Sequence, residues 1–83
     1  MDQTSSGGLI EKYIESAAGP ADAWVSGYGV DVWAIIAYLR VLGGNVDRVA
    51  KLYELPREAV EAAMAYYDLH RDAIEARLTL NTA

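Results

Sequence analysis

Hydrophobic positions recur at helical spacing along most of the chain, and the interruptions cut that pattern into short segments. Residues 1–8 (MDQTSSGG) carry no apolar stripe and read as a mobile tail. Leu9, Ile10, Tyr13, Ile14 and Ala17 then share one face of a first short helix, with Ser5 or Ser6 as its cap. Ala18-Gly19-Pro20 closes it, because glycine terminates helices and proline cannot continue one. Residues 21–31 (ADAWVSGYGVD) lose the helical period. Trp24, Val25, Tyr28 and Val30 favour extended backbone, and Gly27 and Gly29 favour turns, which predicts a short extended arm or small hairpin. A pair of that size is unstable alone, so it must pack on the helices or pair with another copy.

The helical period returns at Asp31, the predicted N-cap of a second helix running to about Leu42. Its stripe is Val32, Ile35, Ile36, Leu39 and Leu42. Gly43-Gly44 ends it, and Asn45 caps a third helix with Val46, Val49, Ala50 and Tyr53 on its inner face. Glu54-Leu55-Pro56 reads as a tight turn, with Pro56 at the first position of the next helix. Beyond Pro56 there is neither glycine nor proline. Val60, Ala63, Met64, Tyr67, Ile74 and Leu78 keep one stripe over residues 57–80, compatible with one long helix or two abutting ones. His70 and Arg71 interrupt the stripe and mark the expected bend. The chain therefore reads as one all-α domain over residues 9–83, a helical bundle with a short extended N-terminal arm or hairpin.

The segment from Asn45 to Ala63 has helix-turn-helix spacing. Such a pair needs a small residue at the crossing, an apolar residue in the turn and a branched residue on the second helix. Ala50, Leu55 and Val60 supply them at intervals of five, with Val49, Tyr53 and Ala63 completing the inner face. Many such motifs carry glycine just before the apolar turn residue; this chain has Glu54 there. If the second helix read DNA, it would present Pro56, Arg57, Glu58, Glu61, Ala62 and Ala65 to the groove. Arg57 is the strong base or phosphate contact among them, and Arg48 and Lys51 on the preceding helix would hold the backbone. The same three cations also fit an ordinary solvated face balanced by Asp47, Glu54 and Glu58.

Composition narrows the functional classes. With 83 residues, 53% of them hydrophobic, the chain has room for one marginal core, which dimerisation or a partner would help to stabilise. The formal net charge of −5 suits a basic partner and opposes tight non-specific nucleic-acid binding. There is no cysteine, which removes disulfide and thiolate chemistry and favours a reducing, cytoplasmic compartment. No apolar run is long enough for a membrane span, and Met1 to Gly8 lacks the basic and apolar parts of a signal peptide.

Catalytic and metal chemistry find little support in the pattern. His70 is the only histidine, and its neighbours Asp68 and Asp72 do not share its helical face. Carboxylate pairs such as Glu58 with Glu61 read as solvated faces. The Gly-Gly pairs match neither the Walker nor the dinucleotide pattern, and no serine sits in a nucleophile elbow. No catalytic residue, metal ligand or cofactor is assigned. The aromatic residues carry more information. Trp24, Tyr28, Trp33 and Tyr38 gather around the arm and the second helix, and Trp33 is out of phase with the core stripe. They form either an interface or a lid that the arm folds over the core. Ile74, Arg77 and Leu78 on the C-terminal helix make a second candidate docking surface.

Three stretches together resemble the small bacterial and archaeal proteins of domain-of-unknown-function family 433. They are LIEKYIE, then AWVSGYGVDVWAIIAYLRVLGG, then NVDRVAKLYELPREAVEAAMAYYDLHRDAIEARLTLN, spanning about Leu9 to Asn81. The chain departs from many members at Gly27-Tyr28-Gly29, where they carry Gly-Thr-Arg. The resemblance implies a homeodomain-like helix-turn-helix core, often dimeric. It further implies an antitoxin that sequesters a PIN-like ribonuclease toxin and binds its own operator DNA. Against this stands a plain alternative, a homodimeric DNA-binding regulator with no toxin partner, its half-sites about one helical turn apart.

Overall fold

The computed structural model describes residues 5–82, and among these it holds five α-helices and a three-stranded antiparallel sheet. The first helix, α1, spans Ser5–Tyr13, so Ser5 to Gly8 belong to a helix where the sequence suggested a tail; residues 1–4 lie outside the described residues. The helix also stops earlier than Ala17. Ile14 and Glu15 form strand β1, paired with Trp24–Val25 (β2), which in turn pairs with Val30–Asp31 (β3). A β-branched residue at helical spacing fits either state, and pairing with β2 decides for the strand.

The expected hairpin is thus β2–β3, and β1 makes it a sheet. Its register puts Ile14, Val25 and Val30 in one cross-strand row and Glu15, Trp24 and Asp31 in the other. The apolar row faces the core: Val25 is fully buried, and Ile14 and Val30 pack against the central cluster. Trp24 lies in the outer row with a carboxylate residue across from it on each side. Between β1 and β2 a single 3₁₀ turn, Pro20–Asp22, follows Gly19.

Helix α2 spans Val32–Val41 and buries Val32, Ile35, Ile36 and Leu39. Asp31 occupies its N-cap position, but its side chain makes no capping bond, and Val32 N–H donates to the Ala23 carbonyl. At the other end Gly44 N–H donates to Leu39 O (2.7 Å) and Gly43 N–H to Arg40 O (3.4 Å), a Schellman closure with Gly43 at φ 66°. Asn45 then caps α3, Val46–Tyr53, by accepting from Arg48 N–H at 3.1 Å.

Helix α3 closes in the same way, with Leu55 N–H donating to Ala50 O (2.8 Å) and Glu54 N–H to Lys51 O (3.2 Å). Glu54 therefore sits in the left-handed region, φ 58°, where a Cβ is unfavourable. This is the position where related motifs carry glycine, and the chain keeps the turn despite glutamate. Glu54→Gly is expected to raise stability by about 0.5–1 kcal/mol, the left-handed penalty less glycine's added backbone entropy. Urea unfolding should show a higher midpoint at unchanged slope. A lower midpoint would mean that the glutamate side chain contributes more than its strain costs.

Pro56 occupies the N-cap position of α4, Arg57–Leu69, one residue earlier than the sequence suggested. The chain then breaks at His70 and resumes as α5, Arg71–Thr82, so residues 57–80 make two helices with the bend at the expected place. The core gathers Val25, Val32, Ile35, Val49, Leu55, Val60, Tyr66, Ile74 and Leu78 with their smaller neighbours. Helix α4 is the hub: α1, α2, α3, α5 and β1 all pack on it. Its buried residues are mostly alanine (Ala59, Ala62 and Ala63), which lets so many elements approach one helix. Met64, read as part of the stripe, is instead partly exposed, and Tyr66 takes the buried place with its hydroxyl donating to Pro20 O at 3.2 Å.

Candidate functional site

A helix that reads DNA needs a free, basic face, and the exposed face of α4 is acidic and partly tied to its neighbours. Tyr13 Oη on α1 donates to Glu58 Oε1 at 3.0 Å, and Lys12 Nζ lies 4.0 Å from the same oxygen. The hydrogen bond to Glu58 raises the Tyr13 pKa. One turn further along that face Ala62 is fully buried. Of the residues placed on a groove-facing surface by the sequence, Ala62 is therefore buried, while Glu58 stays exposed although it is tied to α1. The face that α4 leaves open runs through Arg57, Glu58, Glu61, Met64 and Asp68, one cation against three carboxylates.

Arg57 is also committed. Its guanidinium bonds Asp47 Oδ1 and, through Nε at 3.0 Å, Glu61 Oε2. Those two hydrogen bonds hold its pKa above the usual arginine value. The three cations of the basic cluster thus separate. Arg57 sits in a carboxylate fork, whereas Arg48 and Lys51 make no ion pair among the described residues and remain on the exposed face of α3. Lys12, Arg40, Arg71 and Arg77 each pair with a carboxylate.

The aromatic residues also disperse. Residues 33 and 38 are five positions apart, which puts them about 140° apart around a helix. Trp33 is partly buried against the core, with the Arg77 guanidinium 4.9 Å from its ring. Arg77 also reaches Asp22 at 3.3 Å. Tyr38 stands edge-on to Tyr53, centroids 5.7 Å apart, on the α3 side. Tyr28 is exposed at the hairpin tip, and Trp24 is half-buried on the outer face of the sheet. The C-terminal docking surface is overturned in its apolar part: Ile74 is fully buried and Leu78 nearly so, both inside the core. They are hydrophobic positions of an amphipathic helix, and packing on α2 and α4 consumes them.

A polar cluster that the sequence reading did not find fastens α5 to the rest. Arg40 on α2 donates to both oxygens of Glu75 and, at 3.0 Å, to Tyr67 Oη; Tyr67 Oη donates in turn to Glu75 Oε2. Arg71 lies over the Tyr67 ring, 4.9 Å from its centroid. Arg40 first, and Tyr67 second, hold the Glu75 carboxyl below the ordinary glutamate pKa. Its folded pKa is depressed, so its stabilisation is present above the unfolded value of about 4.3 and is lost as pH falls through the folded value. Glu75→Gln is expected to flatten the acid limb of a Tm-against-pH profile below about pH 4.3. Parallel acid limbs for the two proteins would exclude this role for Glu75.

His70, at the α4–α5 joint, stacks on Tyr66 with centroids 4.3 Å apart. Among the described residues no group of three His, Cys, Asp or Glu is placed to hold a metal ion, and no helix is long and apolar enough to cross a membrane.

A concave surface lies between α2 and α3. Tyr38 on α2 and Leu42 at its C-cap face Asp47, Arg48, Lys51 and Leu52 of α3 across an open groove of about 490 Å³. Leu52 is 54% exposed and Tyr38 43% exposed, although both are large apolar residues. Of the residues singled out from sequence, the groove unites Tyr38, Arg48 and Lys51. Leu42 and Leu52 were missed as site residues. The signal for Leu52 was a leucine on the charged face of α3, one turn after Arg48 and outside the Val46–Val49–Ala50–Tyr53 face. Compared with family models, curated proteins and solved structures, the chain finds no match in any of the three.

Proposed function

We propose that the chain is an antitoxin-like binding protein that sequesters a protein partner. The carrying observation is the α2–α3 groove: exposed Tyr38 and Leu52 beside Arg48 and Lys51, two cations that a net-acidic domain leaves without ion pairs among the described residues. Exposed aromatic residues next to arginine are what protein interfaces enrich. The acidic open face of α4, the buried Ala62 and the carboxylate-paired Arg57 favour protein binding over sequence reading. The resemblance to domain-of-unknown-function family 433 supplies the partner class, a PIN-like ribonuclease toxin, and with it a homeodomain-like core, a homodimer and operator binding as an accompanying activity.

The test is an affinity pull-down of the tagged chain from its native lysate at moderate salt, followed by inhibition of the recovered protein's ribonuclease activity. A small nuclease at equal stoichiometry, inhibited by the purified chain, is the expected result. Recovery of the chain alone would end this reading. Operator binding has its own expectation. Two uncommitted cations per chain give a plot of log affinity against log salt a slope of about −2 per chain. A much steeper slope would require Arg57 and its paired neighbours to swing free onto phosphates.

A further inference from the structure

The groove carries a more specific reading, which rests on the protein-binding function above. Two observations meet there independently. The first is apolar exposure: Tyr38, Leu42 and Leu52 line an open surface, and Tyr38 is held in place by its edge-on contact with Tyr53. The second is charge. Of the seven lysines and arginines, five are tied to carboxylates among the described residues, and the two that are not, Arg48 and Lys51, both line this groove. Asp47, the one carboxylate in the lining, is occupied by Arg57. The local surface is therefore apolar and positive on a molecule whose net charge is −5.

We infer that the α2–α3 groove is the seat of an acidic amphipathic helical segment of a protein partner. The segment lays its apolar side chains on Tyr38, Leu42 and Leu52, and its carboxylates meet Arg48 and Lys51. Spacing supports a helical occupant. Tyr38 and Leu42 are one turn apart, as are Arg48 and Leu52, so each wall repeats at about 6 Å, the distance over which an opposing helix repeats its own i, i+4 side chains. A phosphate backbone offers no apolar surface to match Leu42 and Leu52. The second open groove, between Leu39, Arg40, Met64 and Tyr67, offers no unpaired cation, because Glu75 occupies Arg40, and its remaining charge is the carboxylate of Asp68.

The experiment uses the full chain and a defined probe. The probe is a fluorescein-labelled helical peptide of about four turns, with leucine on one face and glutamate flanking it. A second peptide carries glutamine for glutamate. The expected result is tighter binding of the glutamate peptide by about tenfold, the scale of two partly exposed ion pairs. Amide resonance shifts should concentrate at Tyr38, Leu42, Arg48, Lys51 and Leu52. The double variant Arg48→Gln/Lys51→Gln should lose that preference, and Leu52→Ala should weaken both peptides. All three positions are exposed, so folding is preserved and is checked by circular dichroism.

Equal binding of the two peptides, or resonance shifts centred elsewhere, would overturn the inference. So would displacement of the peptide by a short duplex DNA with the same resonances shifted, or self-association of the chain that the double variant abolishes. The double variant also goes through the pull-down. A partner captured equally by wild type and variant overturns the groove and leaves the protein-binding reading in place. A wild type that captures nothing overturns the protein-binding reading itself.

Discussion

Ile74→Ala is expected to destabilise the domain by about 2–5 kcal/mol, the range for truncating a buried isoleucine and leaving a cavity. Ile74 is fully buried, and α5 packs on α2, α4 and the 3₁₀ turn around it. A chain of this length has a total stability of about 4–12 kcal/mol at ordinary values per residue. One side chain thus accounts for a large part of the margin. Each kcal/mol moves Tm by about 4–8 °C in so small a domain, so the melting point should fall by more than 10 °C, about two such steps. Ile74→Val, which removes one methyl group, should cost about 0.5–1.5 kcal/mol and keep the fold. The pair separates two roles that the sequence left together. A docking residue replaced by alanine would lower partner capture at an unchanged Tm. A core residue lowers Tm, and the valine variant then retains the partner. An unchanged Tm in the alanine variant would place Ile74 outside the core.

The elements of the helical part were legible because their punctuation is local. Gly43-Gly44 followed by Asn45 spells a Schellman closure and a cap within three residues, and both are present. The α4–α5 break at His70 was legible as a gap in the stripe, and Leu55 and Val60 took the inner positions that helix-turn-helix spacing assigns them. What failed depended on packing between distant segments. Nothing near Ile14 announces that it leaves the helix; its strand exists because Val25, eleven residues on, offers a partner. A stripe also cannot say what it faces. Ile74 and Leu78 are as consistent with an interface as with a core until α2 and α4 are placed against them. The basic cluster dissolved for the same reason, since Arg57 finds Asp47 ten residues back and across the turn. Leu52 was passed over because a leucine among charges looks incidental until Tyr38 and Leu42 stand opposite it.

Ala62→Arg gives opposite results under the two ways of reading α4. On a groove-facing recognition helix, alanine to arginine adds a cation toward phosphate or base edges and raises DNA affinity. In this fold Ala62 is fully buried on the face that also carries Glu58, whose carboxylate is held by Tyr13 of α1. An arginine there must displace α1 or remain an unpaired charge inside a packed interface. A buried charge without a partner costs about 3–5 kcal/mol, a large part of the stability of a chain this small. The expected result is a melting point lowered at least as far as in Ile74→Ala, with no gain in DNA binding at any salt concentration. Ala62→Ser, close in volume, should cost far less, because its hydroxyl can bond back to the helix backbone. A folded Ala62→Arg protein with increased duplex affinity would mean that α1 swings off α4 in solution. Helix α4 would then be a reading helix after all, and the regulator without a toxin would become the better account of this chain.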